Sequence, residues 1–468
     1  MYEPGWTSLL PPLLAIGLAL TTRQVFLALF GGIWLGSVLL AGGDILAGLA
    51  AAIESLVAVL GNAGDARVIM FTLVIGGLIA TVEASGGVSG FIAWLERRRW
   101  VNDGRRAQWL PFFTGILIFI ESNITILVAG SVARPLVDRY RVAREKLAYI
   151  VDSTSAPICI LIPLNAWGAF NLSLLDNVGV EQPLQVFLSS IPLNLYAILA
   201  VILTALVIAF GWDIGPMKAA QRRTGSGRLH WKEPSEETET MDSPRLGAQP
   251  GRAVNMVLPM LVMVLFMPLG LWITGEGELA RGSGSTSVLW AVLAALATSW
   301  ALLLSQRAMG IDRLMQLFLK GAAALLPMAL ILLFALALGG VARELGTGQY
   351  VADLVPRDIT PSLMLPAVFF CSAFIAFSVG SSWGTFAIMI PIAIPAAAAL
   401  GLPPAPFLAA VLSGGVFGDH ASPISDTTVI SSMATGTDHI EHVRTQLPYA
   451  LLAGAAAALG FAVMGATL

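Results

Sequence analysis

The chain is short of charge. Asp, Glu, Lys and Arg make up 12% of its 468 residues, about half of what a soluble globular domain carries. Lysine is nearly missing: Lys146, Lys218, Lys232 and Lys320 are all there is. No phosphate-loop pattern occurs, which, with so few lysines, argues against ATP-driven transport on this chain. The two cysteines, Cys159 and Cys371, are isolated in apolar segments, so core packing is expected and neither a disulfide framework nor a thiolate metal site. The opening residues "MYEPGWTSLLPP" lack a basic n-region and a small-residue cleavage site, so a removed signal peptide is not expected. A net charge of −3 says little by itself; no nucleic-acid partner and no cofactor are expected.

What the chain has instead is apolar length. It is 56% hydrophobic, with mean hydropathy +0.80. Runs long enough to span a bilayer recur from Leu9 to Leu468. This composition predicts an all-α polytopic protein of the bacterial cell (inner) membrane. One hydrophilic stretch, 218–252, is rich in charge, Ser, Gly and Pro and divides the chain nearly in half; it reads as a flexible cytoplasmic linker.

The arginines constrain the topology. "ERRRWVNDGRR" (96–106) and "RPLVDRYRVAREK" (134–146) are both basic and both belong in the cytoplasm, yet one apolar stretch separates them. A re-entrant hairpin over 107–133 resolves the conflict. Its tip lies near "FIESNIT", where Glu121, Ser122, Asn123 and Thr125 offer ligands. Irregular backbone at that depth requires burial in protein or a cavity. Continuing the count gives a broken helix over 147–170, a return over 186–212, spans near 254–275, 286–304 and 321–340 with an Arg307/Arg313/Lys320 loop inside, a second hairpin over 361–400 with "SSWGT" at its tip, and a second broken helix over 407–433. "GTDHIEHVRTQ" becomes a cytoplasmic loop before a last span over 447–467, which makes His439 and His442 solvated side chains.

The halves match. "GGLIATVEASGG" (76–87) pairs with "GGVARELGTG" (339–348), aligning Glu83 with Glu344; Ser122-x-x-Thr125 pairs with Ser382-x-x-Thr385; "DSTSAP" (152–157) pairs with "DHASP" (419–423). These landmarks predict two inverted-topology repeats, 8–212 and 254–467, joined by a linker over 213–253, each with about five transmembrane helices, a hairpin and a broken helix.

The polar groups sit where they are expensive. "GDHASPISDTT" (418–428) places two carboxylates, an imidazole, a proline and four hydroxyls between apolar runs. Pro157 and Pro423 interrupt their helices and expose carbonyls. A hard cation such as Na⁺ wants oxygen ligands. Asp152, Ser153, Thr154 and Ser155 supply them in the first half; Asp419, Ser422, Ser425, Asp426, Thr427 and Thr428 in the second; Glu121, Ser122, Asn123, Ser382 and Thr385 at the hairpin tips. A carboxylate that holds either Na⁺ or H⁺ couples the two by competition, and His420 beside Asp419 can share the proton. The hairpin tips and broken helices hold no Lys or Arg in this division. That favours a cation alone, or a cation with a small zwitterion or acid.

These residues resemble the NhaC-type Na⁺/H⁺ antiporter family. The stretch "GDHASPISDTTVISSMATGTDHIEHVRTQLPYA" (418–450) is similar to that family's signature along its length, and "REKLAYIVDSTSAPICILIPLNAWGAF" (144–170) to its first-half counterpart. Ala421 stands where many relatives carry Cys. The resemblance implies an elevator-like scaffold and transport domain, with Na⁺ and H⁺ as coupled ions. It also implies Asp152 and Asp419 as the main Na⁺-binding acids, assisted by Ser122, Asn123, Ser382, Thr385, Ser422 and Asp426, and a homodimer, common among elevator-type relatives. The family is mixed. A carrier of a small organic acid or amino acid, of the lactate–malate kind, stays open beside plain exchange, with Asn165, Trp167 and Trp383 lining its pocket. A third possibility is an intramembrane serine hydrolase, because "GSSWG" (380–384) matches G-x-S-x-G and His420 lies downstream of Ser382.

Overall fold

The computed structural model of the chain describes residues 5–22, 24–87, 90–91, 103–119, 122–163, 165–228, 251–278, 282–347, 350 and 360–468. Glu121, most of the first basic loop and the linker interior over 229–250 lie outside the described residues, as does the side chain of Asn123. The described residues are helical between turns, with no strand among them. Among them, seven helices are long and apolar enough to cross a bilayer, or up to nine when two bent pairs each count as one span. The chain is a multi-pass membrane protein.

The helices of the first half are α1 (Leu10–Thr22), α2 (Val25–Leu40), α3 (Ile45–Gly61), α4 (Ala63–Ala84), α5 (Gly104–Leu117), α6 (Ser122–Arg139), α7 (Arg144–Ser153), α8 (Ala156–Leu161), α9 (Ala166–Asn177), α10 (Pro183–Ser190) and α11 (Leu195–Phe210). Then come α12 (Pro216–Gly225), α13 (Val254–Thr274), α14 (Gly284–Ser305), α15 (Ile311–Glu344), α16 (Pro361–Val379), α17 (Ser382–Ala399), α18 (Pro404–Ala421), α19 (Asp426–Thr435) and α20 (His439–Ala466). Short polar side chains start many of them. Asp44 accepts from the Leu46 and Ala47 amides, Asn62 from Gly64 and Asp65, Ser381 from Gly384 and Asp438 from Glu441.

The centre of the fold is the antiparallel pair α4 and α15. A Cβ on Gly76 would lie 2.3 Å from the Gly321 carbonyl oxygen, and one on Gly321 would lie 2.0 Å from that of Gly76. Glycine is what lets these backbones approach so closely. The first turn of α4 and the last turns of α15 both meet α9: Ser173 donates to Asp65 at 3.0 Å, and Gly339 faces Asn177. Both long helices close with the same turn, Gly86 on the Glu83 carbonyl and Gly346 on that of Arg343, each glycine at φ 66. That turn shifts the sequence alignment by one residue: Glu83 corresponds to Arg343, and Glu344 to Ala84. Both glutamates are exposed at helix ends.

Each half then folds a pair of short-linked helices onto each other, α5 with α6 and α16 with α17, followed by an interrupted helix. The interruptions fall at Thr154–Ser155 and at 422–425, just before or around the prolines, with Pro157 in the first turn of α8. The first broken helix also runs further than 147–170. It starts at Arg144 and, after a second break before Ala166, ends at Asn177. It therefore does contain cations: Arg144 and Lys146, both buried. The two halves interlock, because α19 of the second packs on α6 and α7 of the first, where Ala129, Ala133, Val137, Leu147 and Ala434 share a separate small core.

Several expectations are corrected. Arg313 and Lys320 lie inside α15, which spans 34 residues and not the predicted 321–340. The last helix begins at His439, not 447, because Asp438 caps it there. Cys159 is buried but Cys371 is exposed on the helix surface, so only the first packs inside. The linker's first part is ordered: α12 docks on the start of α7. Arg223 makes a bidentate pair with Glu145 (2.8 and 3.0 Å), Lys146 pairs with Asp213 at 2.8 Å, and Gln221 bonds the Ala143 amide and the Arg141 carbonyl. Arg144 adds a bidentate contact to Asp138 and reaches the Gly436 carbonyl at 3.1 Å.

Breaking a buried ion pair by removing one partner costs about 3–5 kcal/mol, whereas replacing both by apolar groups is often neutral. We expect Glu145→Ala to lower the thermal midpoint of the detergent-purified protein sharply, and the double substitution Glu145→Met with Arg223→Met to recover most of the loss. A wild-type midpoint for Glu145→Ala would show that this contact holds nothing.

Candidate functional site

The two helix breaks bring one acid each into the buried interior. Asp419 closes α18 at 1% exposure. Its carboxylate accepts from two hydroxyls: Ser382, first residue of α17, at 2.6 Å on Oδ2, and Ser425, in the break, at 2.6 Å on Oδ1. Ser425 also lies 3.1 Å from the Thr427 hydroxyl and faces the Thr428 amide as the N-cap of α19. The second hairpin and the second broken helix thus meet at one carboxylate wrapped in hydroxyl oxygens.

Asp152 sits in a different setting at 0% exposure. Gln446 of α20 donates to its Oδ2 at 2.6 Å, and His442 Nε2 lies 3.5 Å from the same oxygen. His420 Nε2 stands 3.9 Å from Oδ1. The other ring nitrogen of His420 hydrogen-bonds the Tyr196 hydroxyl at 3.1 Å, and its carbonyl accepts from Gln446 at 3.0 Å. His420, next in the chain to Asp419, therefore joins the two acids. Beside this junction lies a small cavity, with room for about one water-sized group, walled by Tyr149, Ser153, Tyr196, His420, Gln446 and Tyr449 among others.

The remaining residues singled out from sequence divide into those near the acids and those bound to backbone. Ser153 lines the cavity. Thr154 donates to the Ile150 carbonyl, Thr385 to Ser381 and Ser422 to Phe377, so these hydroxyls hold the backbone at the breaks and at the tip of the second hairpin. Asp426 is partly exposed and accepts from the Thr427 amide. Ser122 is buried at the start of α6. Thr125, one turn on, donates to the Ile118 carbonyl across the first hairpin's tip. Asn165 uses its whole amide on backbone: Nδ2 to the Phe119 and Cys159 carbonyls at 2.9 and 2.8 Å, Oδ1 from the Gly168 amide. Trp167 and Trp383, one from each half, pack at 5.2 Å between ring centroids in the core and do not wall the cavity.

Two residues at Asp152 escape the sequence reading. His442 was expected in a solvated loop; it is fully buried against Asp152, because the helix starts early enough to put His442 and Gln446, one turn apart, on the face that meets α7. Gln446 was not singled out at all. The available signal was the i, i+4 spacing of the two in a segment that ends in an apolar run. His439, by contrast, is half-buried and contacts the Pro423 carbonyl at 2.5 Å, closing the second break. The hydrolase possibility fails on geometry: the Ser382 hydroxyl is committed to Asp419, and His420 bonds Tyr196 and faces Asp152.

Comparison with known proteins agrees. An uncharacterised protein of Haemophilus influenzae is 33% identical over 98% of this chain and 91% of its own length. Shorter matches reach the arginine/ornithine antiporter of Halobacterium salinarum, 30% identical over 26% of this chain and 25% of that protein, and the malate-2H⁺/Na⁺-lactate antiporter of Bacillus subtilis, 36% identical over 23% of each. The fold is similar to that of the Alcanivorax borkumensis YdaH transporter, with TM-score 0.60 and 15% identity over 90% of this chain and 88% of that one. Those of these relatives that carry a function are antiporters or transporters. The family model described as "Na⁺/H⁺ antiporter family" matches residues 171–466, and the chain belongs to that family.

Proposed function

We propose that the protein exchanges Na⁺ for H⁺ across the bacterial inner membrane. The observation that carries this reading is the Asp419 carboxylate, buried and held by the Ser382 and Ser425 hydroxyls with Thr427 adjoining. A carboxylate and hydroxyl oxygens are the donor set a hard monovalent cation takes, and Na⁺ is here the substrate. Asp152 lies one histidine away, between two imidazoles and an amide, a setting suited to proton exchange. Entry of Na⁺ at one acid and departure of H⁺ from the other are then linked through His420.

The alternating-access step is read as elevator-like, with hairpins and broken helices moving past a scaffold centred on α4 and α15. Inverted repeats are supported by the antiparallel course of these two helices, by their shared terminal turn, and by the equal chain length from Gly86 to Ser122 and from Gly346 to Ser382. A homodimer belongs to the same reading. A second reading, ion-coupled carriage of a small organic acid or amino acid, draws on the substrates for which the Halobacterium and Bacillus relatives are named.

In proteoliposomes with an internal pH dye and no organic solute, a Na⁺ gradient is expected to move protons, and Asp152→Asn and Asp419→Asn each to abolish the signal. A folded wild type that moves no protons sinks the exchange reading and sends the search to Na⁺-dependent uptake of small acids and amino acids. The hydroxyls give a graded test. Removing one hydrogen bond to a charged group costs about 1.5–3 kcal/mol, so Ser382→Ala and Ser425→Ala are each expected to weaken apparent Na⁺ affinity roughly tenfold or more. Unchanged Na⁺ dependence in both would place the cation away from Asp419.

A further inference from the structure

One side chain, from neither broken helix, holds both. Gln446 donates its amide nitrogen to Asp152 Oδ2 in the first half and to the His420 carbonyl in the second, at 2.6 and 3.0 Å. An amide has two protons, and both are used. Its Oε1 is buried without a hydrogen-bond partner, and so is Oδ1 of the same Asp152. Leaving a buried acceptor unpaired costs about 1–3 kcal/mol. Packing does not demand that cost, since leucine or methionine would occupy similar space. Gln446 and Ser153 both wall the cavity.

Resting on the reading of Asp152 as an ion-bearing acid, we propose that Gln446 is a cation ligand and specificity residue of a second site, in which its Oε1, Asp152 Oδ1 and the Ser153 hydroxyl take a dehydrated monovalent cation. Its Nε2 holds the two broken helices in the register that the site requires. One carboxylate and two neutral oxygens balance a single positive charge. A divalent ion prefers six or more oxygens and more carboxylates. No Lys or Arg walls the cavity, so nothing there of fixed positive charge opposes the cation. The site is separate from the hydroxyl cluster at Asp419, and at Asp152 the cation competes with the proton of the exchange reading, the acid holding one or the other.

The test measures Na⁺- and Li⁺-dependent thermal stabilisation of purified protein, together with the half-saturating concentration and maximal rate of Na⁺-driven pH change in proteoliposomes. For Gln446→Ala the half-saturating Na⁺ concentration is expected to rise about tenfold, the factor for one hydrogen bond at a charge, with the Na⁺-to-Li⁺ preference altered and the maximal rate much less affected. Gln446→Glu keeps side-chain length and brings a second carboxylate to the site. It is expected to fold, to change the Na⁺-to-Li⁺ ratio, and to become sensitive to Ca²⁺. If the wild type gains no stability from Na⁺ and moves no protons, the exchange reading and this one fall together. If the wild type responds and both variants match it in half-saturation and ion preference, only the role of Gln446 is overturned.

Discussion

The constraint on which the rest depends is the burial of two carboxylates, Asp152 and Asp419, inside a chain that is otherwise short of charge. An acid at membrane depth costs several kcal/mol unless it is paired, hydrated or occupied. The breaks that bring these acids inward also release backbone groups, and each break is closed by a short polar side chain. Ser155 bonds the Asp152 carbonyl, Ser422 that of Phe377 and His439 that of Pro423, and Ser425 caps the following helix. Most polar residues that look costly in the sequence thus hold irregular backbone where water cannot. A smaller set faces the acids themselves.

The two acids sit in similar short motifs, "DSTSAP" and "DHASP", yet have unlike partners. Asp419 receives hydroxyls from its own half, whereas Asp152 receives an amide and approaches two imidazoles, all from the second half. A symmetric pair would offer two equivalent stations and no direction of exchange between ion types. Under the exchange reading, the asymmetry separates an oxygen station from a proton-bearing one, and His420 is the residue through which either can sense the other.

Much of the fold was legible. Apolar length gave the spans, and the basic loops flanking one apolar stretch gave the first helical pair, because charge distribution and hydropathy are properties of the chain itself. Proline and the polar run around it located the breaks to within a few residues. The acids followed from cost alone. What the sequence hid was set by packing. The i, i+4 spacing in "HIEHVRTQ" permits a helix but does not place it at depth, since Asp438 can cap a helix at a surface or in the core, and His442 meets Asp152 only through tertiary contact. The sequence shows that Asn165 and Thr385 carry ligand chemistry but not that each also donates to a backbone carbonyl, because those carbonyls are brought to them by the fold.

The charged start of α7 bears on how Asp152 can move. Arg144 to Asp152 spans about 12 Å along a helix rising 1.5 Å per residue, so the acid at one end and the ion pairs at the other belong to one rigid rod. At the charged end the rod is tied to Asp213 and Arg223, on either side of the start of α12. That same turn is pinned to α20: the Tyr449 hydroxyl accepts from the Ile214 amide and donates to the Trp212 carbonyl, while its ring stacks on Tyr149 at 4.5 Å. At the acid end, Gln446 and His442 of α20 close the other side. Separating α7 from α20 would break buried charged and amide contacts at both ends together, each worth more than a surface contact because nothing solvates the groups left behind. A displacement of the first acid is therefore most cheaply a displacement of both helices, and the side chains that α20 places on Asp152 travel with it.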